Sequence, residues 1–521
     1  MNKLVQPLLR LTGWPRRAAL AGLGALAALA LPPLYVLPAL LPAFAGFLLV
    51  LNKTGCRKGA FAAGWWFGFG FFTLGLYWIS NALLIDAARF IWFIPFSLFG
   101  LSALLGVFTG LAALLSWHVC RQGFGAALSL SACWSLHEWL RSFVMTGFPW
   151  NPIASVWTVS DELLQADAWL GPYGLGFLTV LGASGWILFW TEKAKFRLAA
   201  FLPLLLLALL GVAGMVRLQD AKDEMVDNVR LRLVQPNIEQ SLKWKQELRF
   251  SHLVKLIEMS LSEAGLAPTH VIWAETAVPY LLDSDVQARL AVAKAAPENG
   301  LVITGAVRTS TEQDRPFQIW NSLQALDRNG AIRGVFDKFH LVPFGEYMPL
   351  KNILPLKKIT EGSTDFSPGP GPLTIDLPGL PPVGPLICYE VIFPGAVADP
   401  ARRPGWLLNL TNDSWYGYST GPFQHFAQTR MRAVEEGLPL VRVANSGISG
   451  IIDAYGRVRA KLELNRVGIL DSPLPKPLSE PPLYAALGDG PCIAALVILL
   501  IVLKFMLCHT RFSTVQQRGS G

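Results

Sequence analysis

The sequence predicts an integral membrane α-helical bundle of about eight spans, joined to one extracytoplasmic α/β domain. Three observations support this fold class. Only 15% of the 521 residues are charged and 52% are hydrophobic, which is too apolar for an ordinary soluble protein. Several apolar runs are long enough, or nearly long enough, to cross a bilayer. Between the last two of these runs, short strand-like and helical stretches alternate over a long polar region.

Eight apolar segments approach or exceed the length needed to cross a hydrocarbon core of about 30 Å. The first two are separated only by Pro32 and Pro33, and one helix across both would overshoot the membrane, so a tight re-entry is predicted. The basic and then apolar N-terminus is also typical of a cleavable signal peptide. No cleavage-site pattern precedes the second run, so an uncleaved first span is expected. The segments are 18–32, 33–51, 60–84, 90–119, 124–142, 172–191, 198–216 and 485–508.

Basic charge is concentrated beside the apolar segments. From Arg217 to Glu480 the chain has 28 Lys and Arg against 29 Asp and Glu, whereas the rest of the chain has 16 against 7. A nucleic-acid-binding protein would carry its basic excess on the folded domain, so no nucleic-acid partner is expected. Cytoplasmic segments of membrane proteins are enriched in Lys and Arg. This rule predicts cytoplasmic termini and an outer domain at 217–484, between a membrane region of about seven helices (1–216) and a last span with its tail (485–521).

The region 217–484 shows the alternation that is typical of one α/β domain. Helical stretches are predicted at 244–265, 285–297 and 422–436. Turns at 327–330 and 453–456, each containing Asp and Gly, predict two β-hairpins and therefore a mixed sheet. The predicted strands are LRLVQPN, HVIWAET, LVITGAV, GPLICYE, WLLNLTND and LVRVANSG.

Cys388 is the only one of the six cysteines that lies in this region. An outward-facing domain in an oxidising compartment usually pairs its cysteines in disulfides, which a single thiol cannot do internally. A lone cysteine there is either a small buried apolar side chain or a reactive thiol. The sequence around it is needed to choose between these two interpretations.

Two further residues favour the interpretation of Cys388 as a reactive thiol. Glu275 ends the predicted strand HVIWAET, Cys388 ends GPLICYE, and Lys338 follows the run GVFD. Ligands of α/β sheets bind at the carboxyl ends of strands, so these polar side chains are placed for chemistry. A carboxylate can take the proton of a thiol, and an ammonium can stabilise both the thiolate and an oxyanion. The backbone N–H of Tyr389 is expected to be a second oxyanion donor.

No histidine of the domain has an evident claim to act as the base, so a Cys–His pair is disfavoured. Each of the four is more simply explained as a structural residue, and no cluster of His, Cys and Asp has the spacing of metal ligands. We therefore expect neither a metal nor another cofactor. The four histidines are His252, His270, His340 and His425.

These motifs resemble the three signatures of the nitrilase, or carbon–nitrogen hydrolase, superfamily. The matching segments are WAET with Glu275, DKFHLVPFGEYMP with Lys338, and ICYE with Cys388. With the flanking spans, nearly the whole chain is similar to the apolipoprotein N-acyltransferase family. Other matching segments are VQPNIEQSLKW, LTNDSWYG, VRVANSGISG and FVMTGFPWNP. The resemblance implies an α–β–β–α sandwich in which Glu275 is the base, Lys338 the electrostatic support and Cys388 the nucleophile.

The resemblance also implies roles for residues around these three. Glu346 is expected to position Lys338 or to assist proton transfer, and Glu390 to orient the site; an ordinary surface acid is the alternative for Glu346. Glu138 and Arg141, at i,i+3 in the fifth span, are either functional or a structural pair. The residues expected to line an acyl-chain or lipid groove, with interfacial anchoring as the alternative for the aromatic ones, are Trp244, Trp150, Trp415, Tyr416 and Asn412.

The implied reaction is a two-step acyl transfer at the bacterial inner membrane. A membrane phospholipid would donate its acyl chain to Cys388, and the N-terminal α-amine of a diacylglyceryl-apolipoprotein would accept it. The bilayer is then the remaining partner, and a monomer is expected. Two alternatives were weighed: a membrane-anchored amidase that releases an acid to water, and a transporter with an appended binding domain. Transporters usually show inverted repeats and broken helices, and the spans show no such internal symmetry.

Overall fold

The chain forms one helical unit and one unit built on two β-sheets. In the computed structural model, residues 2–191, 197–263, 265, 267–311, 314, 317–349 and 364–518 are described. The helical unit holds Met1–Tyr77, Phe93–Gln219 and Leu483–Gly521. The second unit holds Trp78–Trp92 and Asp220–Pro482.

Apolar helices make up the first unit, and each of the eight predicted segments overlaps one of them. Within the described part of the chain, Ala87–Val119 and Leu198–Gln219 are long and apolar enough to cross a membrane, and Arg57–Gly75 with Tyr77–Leu84 makes a third if the two are one broken span. The count of eight spans stays a prediction. The α-helices of this unit are Asn2–Arg10, Gly13–Ala28, Leu40–Asn52, Arg57–Gly75, Ile94–Val119, Gly123–Arg141, Asp161–Leu164, Asp167–Gly185, Leu188–Thr191, Leu202–Gln219, Leu483–Leu487 and Gly490–Arg518.

Small residues allow the helices of this unit to approach closely. The hydroxyl of Thr109 donates to the carbonyl of Gly64 over 3.0 Å, which joins the helices Ile94–Val119 and Arg57–Gly75. A Cβ atom at Gly68 would lie only 1.8 Å from the same hydroxyl oxygen. Lipid offers no hydrophobic drive for helix association, so close backbone contact and hydrogen bonds of this kind hold membrane helices together.

Glu138 and Arg141 both hold the backbone of the loop that follows their helix. Glu138 Oε1 accepts hydrogen bonds from the indole of Trp134 and from the backbone N–H of Ile153, at 3.0 and 2.9 Å. Arg141 Nη1 donates to the carbonyl oxygen of Trp150 over 2.8 Å. A buried charged residue needs such partners, and these two fix the loop that carries Trp150.

Among the residues that the structure describes, eleven strands form the two sheets of the second unit. The six-stranded sheet has the order β11-β1-β2-β3-β4-β5, and the five-stranded sheet has the order β10-β9-β8-β7-β6. β1, β2 and β3 are parallel to one another, as are β6, β7 and β8, and the remaining pairs are antiparallel. The strands are β1 Met225–Gln235, β2 His270–Trp273, β3 Leu301–Thr309, β4 Ile319–Leu326, β5 Ile332–Asp337, β6 Val383–Ile387, β7 Trp406–Thr411, β8 Leu440–Ala444, β9 Ser449–Ile452, β10 Val458–Leu462 and β11 Gly468–Pro475.

The two sheets pack face to face with helices on both outer sides. One buried apolar cluster joins residues of the first sheet, such as Leu233 and Ile303, to residues of the second, such as Leu408 and Val443. A second cluster packs the helices Arg249–Ser260 and Val286–Ala293 against the outer face of the first sheet. The helix Gly421–Glu436 packs against β8 of the second sheet. This α–β–β–α sandwich confirms the fold predicted for the domain.

The parallel strands read as continuous apolar runs because both of their faces are covered. Both predicted hairpins are present, as the antiparallel pairs β4–β5 and β9–β10. The segment Trp78–Trp92 also belongs to this unit: the indole of Trp78 donates to Gln424 Oε1 over 2.9 Å, and Asn81 Nδ2 donates to the carbonyl of Tyr416 over 2.6 Å. The other α-helices here are Asn81–Leu84, Ala87–Phe90 and Gln240–Lys243.

Candidate active site

The three side chains predicted to be catalytic each lie just beyond the end of a strand. Glu275 follows β2 by two residues, whereas Lys338 and Cys388 directly follow β5 and β6. β2 and β5 belong to the first sheet and β6 to the second, so both layers of the sandwich contribute. All three side chains are buried. The structure therefore brings together residues that are far apart in the sequence.

Two carboxylates share one ammonium at this site. Lys338 Nζ lies 2.9 Å from Glu346 Oε1 and 3.5 Å from Glu275 Oε1. Asn321, on β4, donates from Nδ2 to the same two oxygens, over 2.8 Å to Glu275 and 3.0 Å to Glu346. Since both partners are carboxylates, the amide nitrogen must face them. Asn321 and Lys338 together fix the direction in which the Glu275 carboxylate points.

These neighbouring carboxylates keep Lys338 protonated. Burial alone would lower the pKa of this lysine, because a charged group is less stable away from water. The negative charges of Glu346 and Glu275 outweigh burial and raise the pKa of Lys338 above its ordinary value. Lys338 is therefore an ammonium at neutral pH and can stabilise negative charge that develops beside it.

The thiol of Cys388 is buried, with 6% of the residue exposed. Burial and the nearby charge of Glu275 raise the pKa of this thiol to about 12, and the charge of Lys338 partly offsets them. At neutral pH the group is therefore a neutral thiol. A thiol must lose its proton to a base in order to attack, and the carboxylates whose charges act on Cys388 are those of Glu275 and Asp413.

The backbone at Cys388 has a left-handed conformation, with φ = +51°. A side chain with a Cβ atom adopts this conformation only when the surrounding structure holds it there. Glu390 supplies part of this support: its Oε2 accepts from the N–H of Ile387 over 2.7 Å, and its Oε1 accepts from the N–H groups of Phe339 and His340 over 2.6 and 3.0 Å. Glu390 thus joins the turn that carries Cys388 to the loop that carries Lys338.

Burial raises the pKa of Glu390 to about 8, although the three backbone N–H donors and the charge of Lys338 lower it in part. The carboxyl group is fully buried and its hydrogen bonds go to backbone. This position agrees with the orienting role that the sequence analysis expected for Glu390.

Lys243 is a second buried lysine at the site, and the sequence analysis did not single it out. Its Nζ donates to the carbonyl of Glu275 over 3.1 Å and to the hydroxyl of Thr276 over 2.7 Å. Burial lowers the pKa of Lys243 to about 8, while the charges of Glu275 and Cys388 raise it in part. The ammonium group of Lys243 therefore stabilises the turn that follows β2.

A polar network lies on the other side of Cys388. Its carbonyl oxygen accepts from His425 Nε2 over 3.1 Å and from Asn409 Nδ2 over 3.4 Å. His425 contacts Asp413, which forms an ion pair with Arg442 over 2.8 Å. All of these side chains are buried. The sequence predicts only a structural role for His425.

Tyr389 and Tyr416 both lie beside the thiol. Tyr389 follows the nucleophile in the same turn, and its ring packs against those of His340 and Phe393, with centroids 5.6 and 5.2 Å away. Burial and the charge of Cys388 raise the pKa of Tyr416. Because the charge of Cys388 acts on it, the hydroxyl of Tyr416 lies near the site. The oxyanion role of the Tyr389 N–H stays a prediction.

The four remaining groove candidates occupy different environments. Trp244 is half-buried, and Lys243 Nζ lies 5.9 Å from the centre of its ring. Trp415 is also half-buried, in the turn Asp413–Tyr416. Asn412 is buried and donates from its amide to Gln240 Oε1 over 2.7 Å, so it binds protein groups. Trp150 belongs to the helical unit, where 1% of it is exposed.

Some of the residues that sequence reasoning missed carry a recognisable signal. Asn409 interrupts the apolar strand WLLNLT, and Arg442 interrupts LVRVA. A polar side chain in a strand that is covered on both faces must find buried partners, so each of them predicts a network. Asn321, the first residue of NSLQAL, and Lys243 in QSLKW have no such local signal. Their partners lie in the turn after β2 and in the loop after β5.

Fold and site together define the class of protein. An α–β–β–α sandwich with Glu, Lys and Cys at strand ends is the arrangement expected of carbon–nitrogen hydrolases. Residues 230–476 match the family model described as carbon-nitrogen hydrolase. This match covers nearly the whole of the sheet-containing unit.

The match extends beyond this domain to the rest of the chain. Residues 23–185 match the model of the apolipoprotein N-acyltransferase N-terminal domain. Relatives of that name from Rhodopseudomonas palustris, Bradyrhizobium diazoefficiens and Rickettsia prowazekii are 39, 37 and 36% identical to this chain. The alignments cover 97, 94 and 92% of this chain and 98, 95 and 96% of the respective relatives. The chain belongs to the apolipoprotein N-acyltransferase family, and the predicted resemblance is confirmed.

Proposed function

We propose that this enzyme transfers an acyl chain from a membrane phospholipid, through a thioester on Cys388, to an apolipoprotein. The acceptor is the α-amine of an N-terminal S-diacylglyceryl cysteine. The observation that carries this proposal is the position of Cys388 at a strained strand end, beside the carboxylate of Glu275 and the ammonium of Lys338.

In the first half of the reaction, Glu275 takes the thiol proton and the sulfur of Cys388 attacks the ester carbonyl of the phospholipid. The tetrahedral intermediate carries an oxyanion, which the ammonium of Lys338 and the backbone N–H of Tyr389 stabilise. The bond to the glycerol oxygen then breaks, and Glu275 returns its proton to that oxygen. The products are a lysophospholipid and the thioester.

In the second half, the α-amine of the acceptor attacks the thioester. An α-amino group has a pKa of about 7.7–8.0, so a useful neutral fraction exists at physiological pH. Glu275 removes a proton from the attacking nitrogen, and Cys388 leaves as a thiol after receiving it. Glu346 and Asn321 keep Glu275 and Lys338 in place in both halves, because they bind them directly.

We propose a bacterial inner-membrane location with about eight spans, cytoplasmic termini and the region 217–484 on the periplasmic face. The support for this topology is the charge distribution, because the basic excess lies outside Arg217–Glu480. Both substrates are held in the bilayer by acyl chains, so a membrane-anchored enzyme meets them by diffusion in two dimensions. A monomer suffices for this scheme, since Glu275, Lys338 and Cys388 all come from one chain.

The groove for the acyl chain is proposed to involve the half-buried aromatic residues Trp244, Trp415 and Tyr416. Trp244 adjoins Lys243, whose ammonium contacts the Glu275 carbonyl, and Tyr416 lies close enough for the charge of Cys388 to act on its pKa. Asn412 is proposed to shape this region through its hydrogen bond to Gln240. Trp150, in the helical unit, stays a predicted groove residue.

The acyl-enzyme is the direct test. Purified protein in detergent micelles is mixed with a phospholipid labelled in its acyl chain, without acceptor, and the protein is examined for label that neutral hydroxylamine removes. We expect such label on the wild type and on Cys56→Ser, which removes an exposed thiol in the helical unit, and none on Cys388→Ala. Absence of label on the wild type contradicts the proposal.

A second measurement separates transfer from hydrolysis. After labelling, a diacylated lipopeptide with a free α-amine is added, and the label is followed into the peptide. Transfer to the peptide supports the acyltransferase. Release of the label only as free fatty acid, at the same rate with an N-acetylated control peptide, would instead identify a hydrolase of the amidase type.

A further inference from the structure

A histidine and an aspartate lie next to Cys388, yet they do not form a catalytic triad with it. In a triad of the Cys–His–Asp kind, the imidazole contacts the sulfur of the nucleophile. Here His425 Nε2 lies 3.1 Å from the backbone carbonyl oxygen of Cys388. The other ring nitrogen, Nδ1, lies 2.9 Å from Asp413 Oδ1. The imidazole ring therefore contacts the backbone of Cys388.

The protonation of His425 follows from its partners. A carbonyl oxygen can only accept, so Nε2 must carry a hydrogen and donate it. Nδ1 also lies 2.9 Å from Arg442 Nη2, which is always a donor. Burial and the charge of Arg442 lower the pKa of His425, although Asp413 partly offsets them. The ring therefore donates from Nε2 to the Cys388 carbonyl, and its Nδ1 faces both Arg442 and Asp413.

The network fixes the ring firmly. Arg442 donates to Asp413 Oδ2 over 2.8 Å and to Asn409 Oδ1 over 2.5 Å. The amide nitrogen of Asn409 in turn donates to the Cys388 carbonyl oxygen over 3.4 Å. Residues from β7, β8 and the helix Gly421–Glu436 therefore converge on one backbone oxygen. An imidazole with both nitrogens engaged, and the groups around it buried, is well placed to hold that oxygen.

We propose that His425 is a positioning residue for the nucleophile. Its Nε2–H holds the carbonyl of Cys388 and so keeps this residue in the left-handed conformation that presents the thiol to Glu275 and Lys338. A left-handed backbone is unfavourable for a residue with a Cβ atom, so other groups of the structure must hold it. Glu390 holds the turn from the side of Ile387, and His425 holds it from the opposite side of the nucleophile.

This inference rests on the proposed function, because it assumes that Cys388 is the nucleophile. A positioning role and a general-base role predict different effects of pH on the rate at which the thiol reacts. A positioning residue changes how often the thiol is correctly placed, which scales the rate at every pH. A base changes the pH at which the thiol becomes reactive.

Two amide variants form a matched pair for the test. His425→Gln places an N–H donor near the position of Nε2, whereas His425→Asn reaches only to the position of Nδ1 and leaves the Cys388 carbonyl without this donor. His270→Asn is the control, because His270 is also buried and contacts a carbonyl, that of Pro378 over 3.0 Å, at the start of β2.

The readout is the rate at which iodoacetamide alkylates Cys388 between pH 6 and 10, with thermal unfolding of each detergent-solubilised variant measured in parallel. Misplacement of a reacting group by about 1 Å costs on the order of 100-fold in rate. We expect His425→Asn to react about 10 to 100 times more slowly at every pH, with the same dependence of the rate on pH. His425→Gln should lie within about fivefold of the wild type, and His270→Asn should match it.

Equal alkylation rates in the wild type and His425→Asn overturn the proposal, as does an equal loss in the asparagine and glutamine variants. A changed dependence of the rate on pH in both variants would make His425 a base instead. Alkylation needs no lipid, so these outcomes do not depend on which acyl donor the enzyme uses. If Cys388 alkylates normally and the acyl-enzyme does not form, the proposed function fails while the positioning role stands.

Discussion

Asn321 offers a sharp test of how the site is built, because one amide group holds two carboxylates. Its Nδ2 donates to Glu275 over 2.8 Å and to Glu346 over 3.0 Å, whereas its Oδ1 has no partner within the described part of the chain. A hydrogen bond to a charged group contributes roughly 1.5–3 kcal/mol. Asn321→Leu removes two of them, so we expect the free energy of unfolding to fall by about 3–6 kcal/mol.

Loss of activity should exceed this loss of stability. Without Asn321, the carboxylate of Glu275 keeps only Lys338 Nζ, at 3.5 Å, as a side-chain partner among the described residues. A base that is misplaced by about 1 Å costs on the order of 100-fold in rate. We therefore expect acyl-enzyme formation to slow by about 100-fold at a temperature where the variant is still folded.

Asn321→Asp changes the charge at constant size. The new carboxylate would lie about 3 Å from Glu275 and Glu346, and each such pair costs about 5 kcal/mol at an effective dielectric constant of about 20. The substituted group should take up a proton, and the variant should lose stability as pH rises and this proton is forced off. Its unfolding temperature should thus fall relative to Asn321→Leu between pH 6 and 9.

Gln324 on the same strand is the matched control. It is buried, and neither its amide oxygen nor its amide nitrogen has a hydrogen-bond partner among the residues that the structure describes. Gln324→Leu removes an unsatisfied polar group, so stability should be unchanged or higher and acyl transfer normal. If Asn321→Leu keeps activity within twofold of the wild type, the amide does not organise the two carboxylates and the reasoning is refuted.

Three more substitutions test other parts of the site. Lys338→Met leaves Glu275 and Glu346 without their ammonium, so we expect a loss of about 3–5 kcal/mol in the free energy of unfolding and no detectable acyl-enzyme; label at the wild-type rate would contradict this. Burial lowers the pKa of Lys243 to about 8, whereas an unfolded lysine has a pKa of about 10.4, so the folded protein releases this proton first. Stability should therefore rise by roughly 3 kcal/mol between pH 8 and 10.4 in the wild type relative to Lys243→Met, and parallel pH curves would refute the assignment. Glu390→Ala leaves three backbone N–H groups without their acceptor, so we expect an unfolding free energy lower by at least about 3 kcal/mol and slower alkylation of Cys388; an unchanged alkylation rate would show that the turn holds without this carboxylate.

Much of the domain could be predicted because its parallel strands are covered on both faces. Such strands appear in the sequence as short apolar runs, and the first polar residue after each run marks the edge of the sheet. Glu275 and Cys388 occupy such positions, whereas Lys338 follows the antiparallel strand β5; the structure places all three at strand ends. The hairpins were predictable for a different reason, since their turn residues have local conformational preferences.

The supporting residues could not be predicted in the same way. Asn321 is 46 residues from Glu275 in the chain, and the contact exists only because β4 and β2 share a sheet. His425 reaches Cys388 from a helix 37 residues later. Sequence periodicity shows which face of an element is apolar, but it does not show which two elements meet.

The properties of the thiol explain why so many groups surround it. Since burial raises the pKa of Cys388 to about 12, the group is a neutral thiol at pH 7, and on the proposed mechanism its attack is coupled to proton transfer to Glu275. Coupled transfer requires the sulfur and the carboxylate to keep their relative positions, which explains the supports that Asn321, Glu390 and His425 provide. The same burial that raises the thiol pKa also limits the access of water to the thioester. On the proposed mechanism, the acyl-enzyme therefore persists until an amine arrives, and this favours transfer over hydrolysis.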